Sequence, residues 1–326
     1  MTASSKAKAV VALCLAYCVA AGAADITYSI QTVAGSSLVG DGGSALNAQL
    51  SDAQCLAIDR LGNVYIADPS NHRVRRVNSA GTMQTVAGTG YPGFSGDGGP
   101  AAQARLNAPY GMATDGAGNL YIADLGNNRV RKIGPDGVIS TVAGSGQAAS
   151  GGDGGTALAA QLNAPRNLAV DSAGNLYISE FLGHRVRLVT PDGSIQTVAG
   201  TGSAGAFGEG IAAVNSQLAY PAGIYLDFTG MLYIADSGNQ RIRTVYNGTI
   251  RTLLLPGVTL SLPTGIAGDT AGGIYVADGG NHRVYRRAIS GVVFQVAGGT
   301  AFDSAREAVN DGLGNLFIAD GRRVSS

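Results

Sequence analysis

The chain has 326 residues, 22 basic against 22 acidic, 45% hydrophobic residues and 50 glycines. Balanced charge argues against a nucleic-acid-seeking basic domain, and the apolar content suffices for a packed core in a chain of this length. With only three cysteines, a disulfide framework is excluded as the source of stability.

Residues 1–24 read as an export signal. Lys6 and Lys8 supply the positive start, Ala9 to Ala20 is apolar but short for a bilayer span, and Ala21-Gly22-Ala23 offers a small-residue cleavage site. The expected location is secreted or periplasmic, with no membrane contact beyond the signal. A lipoprotein acylated at Cys18 is the alternative, disfavoured by Tyr17 where a small residue is usual. Cys14 and Cys18 leave with the signal, so Cys55 remains alone and reads as a small buried hydrophobe rather than a reactive thiol.

The remainder, residues 25–326, is one repeated unit. Residues 106–144 hold four short apolar or alternating runs closed by turn residues, at 111–114, 120–123, 129–133 and 138–142. Such runs read as strands of an antiparallel meander. The second run recurs in copies ending at Asp68, Asp124, Glu180, Asp236, Asp278 and Asp320, at steps of 56, 56, 56, 42 and 42 residues. The expected fold is all-β, a closed six-bladed β-propeller of four-stranded antiparallel blades. The last copy stops after a third strand at Arg322-Arg323-Val324, and Ile30 to Gly35 matches the fourth-strand sequences. The sixth blade is therefore completed by the N-terminal strand, which leaves no open edge at the seam.

Four copies carry an insert of 14 residues, in the stretches GDGGSALNAQL from Gly40, GDGGPAAQARL from Gly96, GDGGTALAAQL from Gly152 and GEGIAAVNSQL from Gly208. The Ala-rich half should form one or two helical turns, with Pro100 at a first helical position. The topology puts these inserts on one rim. Asp41, Asp97, Asp153 and Glu209 stand isolated among glycines, so they cap turns rather than bind calcium.

The pattern Asp-x-x-Gly-Asn-Leu-Tyr-Ile-Ala-Asp-x-x-Asn-x-Arg-Val resembles the NHL repeat, in the style of bacterial secreted and teneurin-like propellers, and the inserts are similar to theirs. The resemblance covers nearly the whole mature chain. It implies the propeller fold, and for function it implies a choice between extracellular scaffolds, RNA-binding propellers, and lyases or gluconolactonase-like hydrolases.

Arg73, Arg129, Arg185, Arg241 and Arg283 recur at one third-strand position and are expected to pair with the second-strand acids, from Asp68 through Asp278. Left unpaired they would form the belt an RNA-binding relative uses; the charge balance and the signal argue against nucleic acid. His72, His184 and His282 share a position in alternate blades, too far apart for one zinc ion, and read as hydrogen-bonding turn residues like Asn128 and Gln240. No metal site and no cofactor is expected, and no nucleophile elbow, paired-histidine motif or phosphate loop is present.

Where near-identical copies differ, selection for something other than folding is the natural suspect. The position following the first-strand proline holds Gln54, Tyr110, Arg166, Ala222, Thr264 and Arg306, and its usually glycine neighbour is Cys55, Asn167 and Glu307 in three copies. Gln54, Tyr110, Arg166, Asn167, Thr264, Arg306 and Glu307 thus form a candidate ligand-binding set at the channel mouth. The expected function is a binding or interaction module, expected as a monomer, that recognises a small polar ligand or a protein on the insert-bearing rim and channel mouth. The alternative is a propeller enzyme, a lyase or a lactonase-like hydrolase, with its site at that mouth.

Overall fold

The computed structural model describes residues 10–16, 28–34, 40–48, 50–299 and 304–320. Its strands form six antiparallel sheets. In sheet two the order from the axis outward is Pro109–Thr114, Leu120–Asp124, Arg129–Ile133 and Ile139–Ala143. Sheet one, from Cys55–Ile58 to Met83–Ala87, repeats it, as do the sheets that begin at Pro165–Val170, Pro263–Gly268 and Pro221–Leu226, the last with Ile211–Ala212 added as a fifth, outermost strand. The fold is an all-β propeller of antiparallel blades.

The sixth sheet departs from the sequence reading. Ala305–Asn310 and Asn315–Asp320 are its inner strands, and Tyr28–Ala34 is its outer strand. Between them lies Val10–Ala16, paired antiparallel to both neighbours. That position was expected for Arg322–Val324, which lie outside the described residues. The apolar run at 10–16 pairs its backbone with both neighbouring strands.

Each first hairpin is set by one aspartate. Asp59 Oδ1 accepts from the backbone N–H of Leu61 and Asn63 at 2.9 Å each, while Oδ2 accepts from Asn63 Nδ2 at 2.7 Å. Asp115, Asp171 and Asp311 repeat this closure. The histidine position is left-handed, with φ 51° at His72 and 52° at His184. His72 Nδ1 accepts from Ala108 N at 3.1 Å, His184 Nδ1 from Tyr220 N at 3.2 Å, and Asn128 Oδ1 from Ala164 N at 3.0 Å. The residue is a turn former that stitches its blade to the entry of the next.

The core lies between blades. One cluster joins Ala57, Ala67, Val74 and Ala87 of the first blade to Met112, Ile122 and Ile139 of the second, with Ala101, Ala104 and Leu106 of the insert between them. The inserts therefore do not stand on a rim. Each fills the wedge that widens with distance from the axis, then runs along the outer strand of the following blade. Gly98 N donates to Ile139 O at 2.8 Å and Ile139 N to Gly99 O at 3.0 Å, so the insert covers an edge that would otherwise be open. Short 3-10 turns form at Ala45–Asn47, Ala101–Gln103 and Ala213–Asn215, and Pro100 caps its turn rather than entering it.

The arginine pairing also differs from expectation. Arg73, Arg129 and Arg185 donate to backbone carbonyls of Thr89, Gly144 and Thr201, and of that column Arg241 pairs with Asp236, at 2.9 Å. The arginines two residues on, Arg75, Arg131, Arg187 and Arg243, are the buried ones. The insert acids are their partners: Asp41–Arg75, Asp97–Arg131 and Asp153–Arg187 at 2.6 Å each, and Glu209–Arg243 at 3.7 Å. Arg131 and Arg187 also reach the second-strand acids Asp124, at 3.5 Å, and Glu180, at 2.8 Å. Asp68, Asp124, Asp236 and Asp278 are already engaged by the amide of an asparagine three residues on. Alternation along a strand keeps residues two apart on one face, so the deeper arginine takes the charge partner while the outer one reaches the loop.

Arg187→Ala should cost about 3 kcal/mol or more, because buried Glu180 loses its ion pair. Asp153→Ala should cost about 1 kcal/mol or less, since Asp153 is 45% exposed. Chemical denaturation of the two variants checks the ratio; equal losses would refute this division of labour.

Candidate functional site at the axial mouth

The seven residues that the repeat comparison selects are split by the structure into two layers. The upper layer is a bonded chain. Tyr110 donates its hydroxyl to Gln54 Oε1, and Arg166 Nη2 donates to Tyr110 Oη at 2.9 Å. The Arg166 guanidinium packs on two rings, 4.6 Å from the centroid of Tyr110 and 4.4 Å from that of Phe181. Cation–π contacts with both rings restrain it. Phe181 packs on Tyr220 at 5.2 Å, and Tyr220 meets His184 edge-on at 4.8 Å. Burial raises the Tyr110 hydroxyl, against the fields of Arg166 and Arg306.

Beside this chain is a cavity of about 370 Å³, open toward the face that carries the loops between second and third strands. Arg166, Phe181, Tyr220, Leu262, Thr264 and Arg306 shape its walls. Glycines at 238, 279 and 280 leave room for it. Its volume lies within the range of small-molecule pockets.

The lower layer closes the axis. Asn167 Nδ2 donates to Glu307 Oε2 at 3.0 Å and lies 3.9 Å from Cys55 Sγ. All three residues are buried. They can meet because their counterparts are glycines: a Cβ at Gly265 would sit inside the Glu307 carboxylate, and one at Gly111 against the backbone of Asn167. Desolvation pushes the Glu307 carboxyl up to about 8, opposed by hydrogen bonds from Ala308 N and Asn167 and by the field of Arg166. Burial and Glu307 together push the Cys55 thiol well up, so it is a poor nucleophile. Below the plug is a second cavity of about 260 Å³, lined by all the inner strands and opening on the opposite face. Among the described residues no group of three histidine, cysteine or acidic side chains is placed to hold a metal ion.

Family models match at residues 89–151, the teneurin NHL domain, and at residues 260–284, the NHL repeat. Mouse teneurin-3 is 31% identical over 258 residues, 69% of this chain, and mouse teneurin-1 is 29% identical over 255 residues, 68% of it. The chain belongs to the NHL-repeat propeller family. It spans only 9% of the length of either of these teneurins. Solved structures of the same fold include a streptogramin B lyase, at TM-score 0.57 and 15% identity over 90% of this chain and 81% of the lyase. A gluconolactonase from Xanthomonas campestris gives 0.57 and 16%, over 83% and 86% of the two chains. A chain of the nidogen/laminin complex gives 0.57 and 17%, over 86% and 90%. These likenesses show the fold alone.

Comparing the NHL repeats one column at a time misses Phe181, Tyr220 and Leu262, which lie on loops rather than on the inner strand. The same comparison extended one loop outward finds them. Phe181 stands where other copies have Pro69, Leu125, Ser237 and Gly279; Tyr220 and Leu262 stand where two copies have alanine. Ala222, in the selected column, is fully buried and faces no ligand.

Because Glu307 holds its proton more tightly in the folded chain, its contribution to stability is complete below about pH 4.5 and is lost as pH rises toward 8. The loss is at most about 1.4 kcal/mol per pH unit. Glu307→Gln should flatten that part of the profile, seen as a wild-type minus variant difference that shrinks with pH in denaturation curves; parallel profiles would show that Glu307 titrates normally.

Proposed function

We propose that this NHL propeller is a binding module that takes a small polar ligand at the mouth of its axis. The observation that carries this reading is Arg166, clamped by Tyr110 and Phe181 on the wall of a cavity large enough for a ligand. A guanidinium held in one orientation before a ligand arrives loses little entropy on binding. Protein recognition is supported by exposed aromatics in the loops that lead into two of the inserts, Tyr91 at 70% and Phe207 at 67% exposure. A propeller enzyme is the second reading, favoured by one observation: a buried carboxyl that is protonated near neutral pH is poised for acid–base work.

The same proposal includes a closed six-bladed ring in an exported monomer. Closure is supported by the packing of inner strand Ala305–Asn310 against both Pro263–Gly268 and Cys55–Ile58. Export is supported by Lys6, Lys8 and the apolar run that follows. Once a signal is removed, the position of Val10–Ala16 falls to another strand, and Arg323-Val324 has the third-strand sequence for it.

A ligand-observed NMR screen of a polar fragment library should give ligands that Leu262→Trp, a change on the exposed cavity wall, displaces without altering the melting temperature. Fragments that bind both forms equally would place recognition elsewhere, and turnover of a lactone in the same screen would favour the enzyme. For the seam, a chain starting at residue 24 should melt close to the full chain, and one starting at residue 36 about 5 °C lower or more, having lost the outer strand. Equal melting of the two shortened chains would refute completion of the ring by the N-terminal strand.

A further inference from the structure

The two arginines of the mouth cavity differ in their standing. Arg166 is held by two rings and a hydroxyl. Arg306 enters from the sixth sheet, and among the described residues it forms no ion pair; its Nε is buried without a hydrogen-bond partner. Among the described residues no carboxylate lines the cavity. Glu307 lies in the buried layer below, and desolvation raises its carboxyl, which weakens any charge it sets against Arg166. Two cationic side chains therefore line one concave space, and among the described residues no acid of its lining offsets them. An adjoining wall is aromatic, made by Phe181 and Tyr220, whose rings lie 5.2 Å apart and are tilted by 44°.

We propose that the cavity selects small organic anions, with a carboxylate or phosphate group on Arg306 and Arg166 and a planar or apolar body against Phe181 and Tyr220. The inference rests on the binding-module reading and names the chemistry of its ligand. A planar guanidinium matches a carboxylate or phosphate through two parallel hydrogen bonds, and partial burial strengthens each of them. The aromatic wall adds contact area and distinguishes an arene-bearing anion from inorganic phosphate.

Four probes sharing one ring and differing in charge test this: benzoate, phenyl phosphate, benzyl alcohol and benzylamine, titrated by NMR against the full chain, with inorganic phosphate as a fifth. Benzoate and phenyl phosphate should bind roughly tenfold or more tightly than benzyl alcohol, and their affinity should fall as salt rises. Whichever of the two binds more tightly identifies the headgroup. Inorganic phosphate should bind more weakly than phenyl phosphate; equal binding would overturn the role of the ring wall. Arg306→Gln should remove most of the preference for anions while leaving benzyl alcohol unchanged, and Arg306→Lys should restore part of it. Equal affinities for acid and alcohol, a preference for the amine, or an unaffected Arg306→Gln would overturn the inference and leave the binding module standing. If none of the probes binds, both readings fail at this site.

Discussion

A guanidinium buried between blades is the constraint on which the outer structure depends. Arg131 and Arg187 are wholly removed from solvent, and such a charge is tolerated only when acids and carbonyls surround it. One acid comes from the second strand of the same blade. The other comes from the insert, which must approach along the outer strand to deliver it. Thr141 and Thr197 complete the clamp by donating their hydroxyls to Asp97 and Asp153, at 2.7 Å each. The electrostatic need thus dictates the path of the insert. The insert's alanines and leucine then occupy the inter-blade wedge, and its backbone covers the sheet edge. Between the fourth and fifth blades, where no such insert occurs, Leu253, Leu255, Val258 and Leu260 take over the apolar part of that task.

Near the axis the constraint changes from charge to space. Inner strands converge there, and at one level three of the six strands carry glycine, where an added Cβ would collide with a neighbouring backbone or carboxylate. Gly111 makes room for the strand that carries Asn167, Gly265 for Glu307 and Gly223 for the backbone at Thr264 and Gly265, and Cys55, Asn167 and Glu307 close the axis. One residue earlier on each strand the mouth has widened, and this steric limit no longer applies. Side chains there differ from blade to blade, and those that differ include the two arginines of the cavity.

Which parts were legible in the sequence follows from the range over which each constraint acts. Strand order, hairpin turns and the left-handed histidine position come from local chemistry repeated at a fixed step, so the spacing of Asp68, Asp124 and their equivalents located them. The partner of each arginine is not local. Arg75 and Arg73 are equally regular in sequence, and only the fold shows that Asp41, thirty-four residues earlier, reaches Arg75. The same holds for the inserts, whose connectivity suggests a rim but whose apolar half is drawn into the wedge. Asn167 and Glu307 were found as departures from glycine, yet their burial below the mouth, rather than on it, depends on how closely opposite blades approach. Phe181 and Tyr220 were missed because they belong to loops, where repeat columns vary for many reasons.

The separation of the two layers also bears on how the site can work. Arg166 belongs to the upper layer by its contacts with Tyr110 and Phe181, and to the lower layer through its field, which opposes the raised proton affinity of Glu307. Its chain neighbour Asn167 donates to that same carboxyl. Two successive residues of one inner strand therefore address the cavity and the axial plug. A rigid strand transmits position well, and the aromatic clamp keeps Arg166 from following a ligand. What links the layers is accordingly the field of Arg166 at Glu307, carried along one strand that the axial packing holds in place.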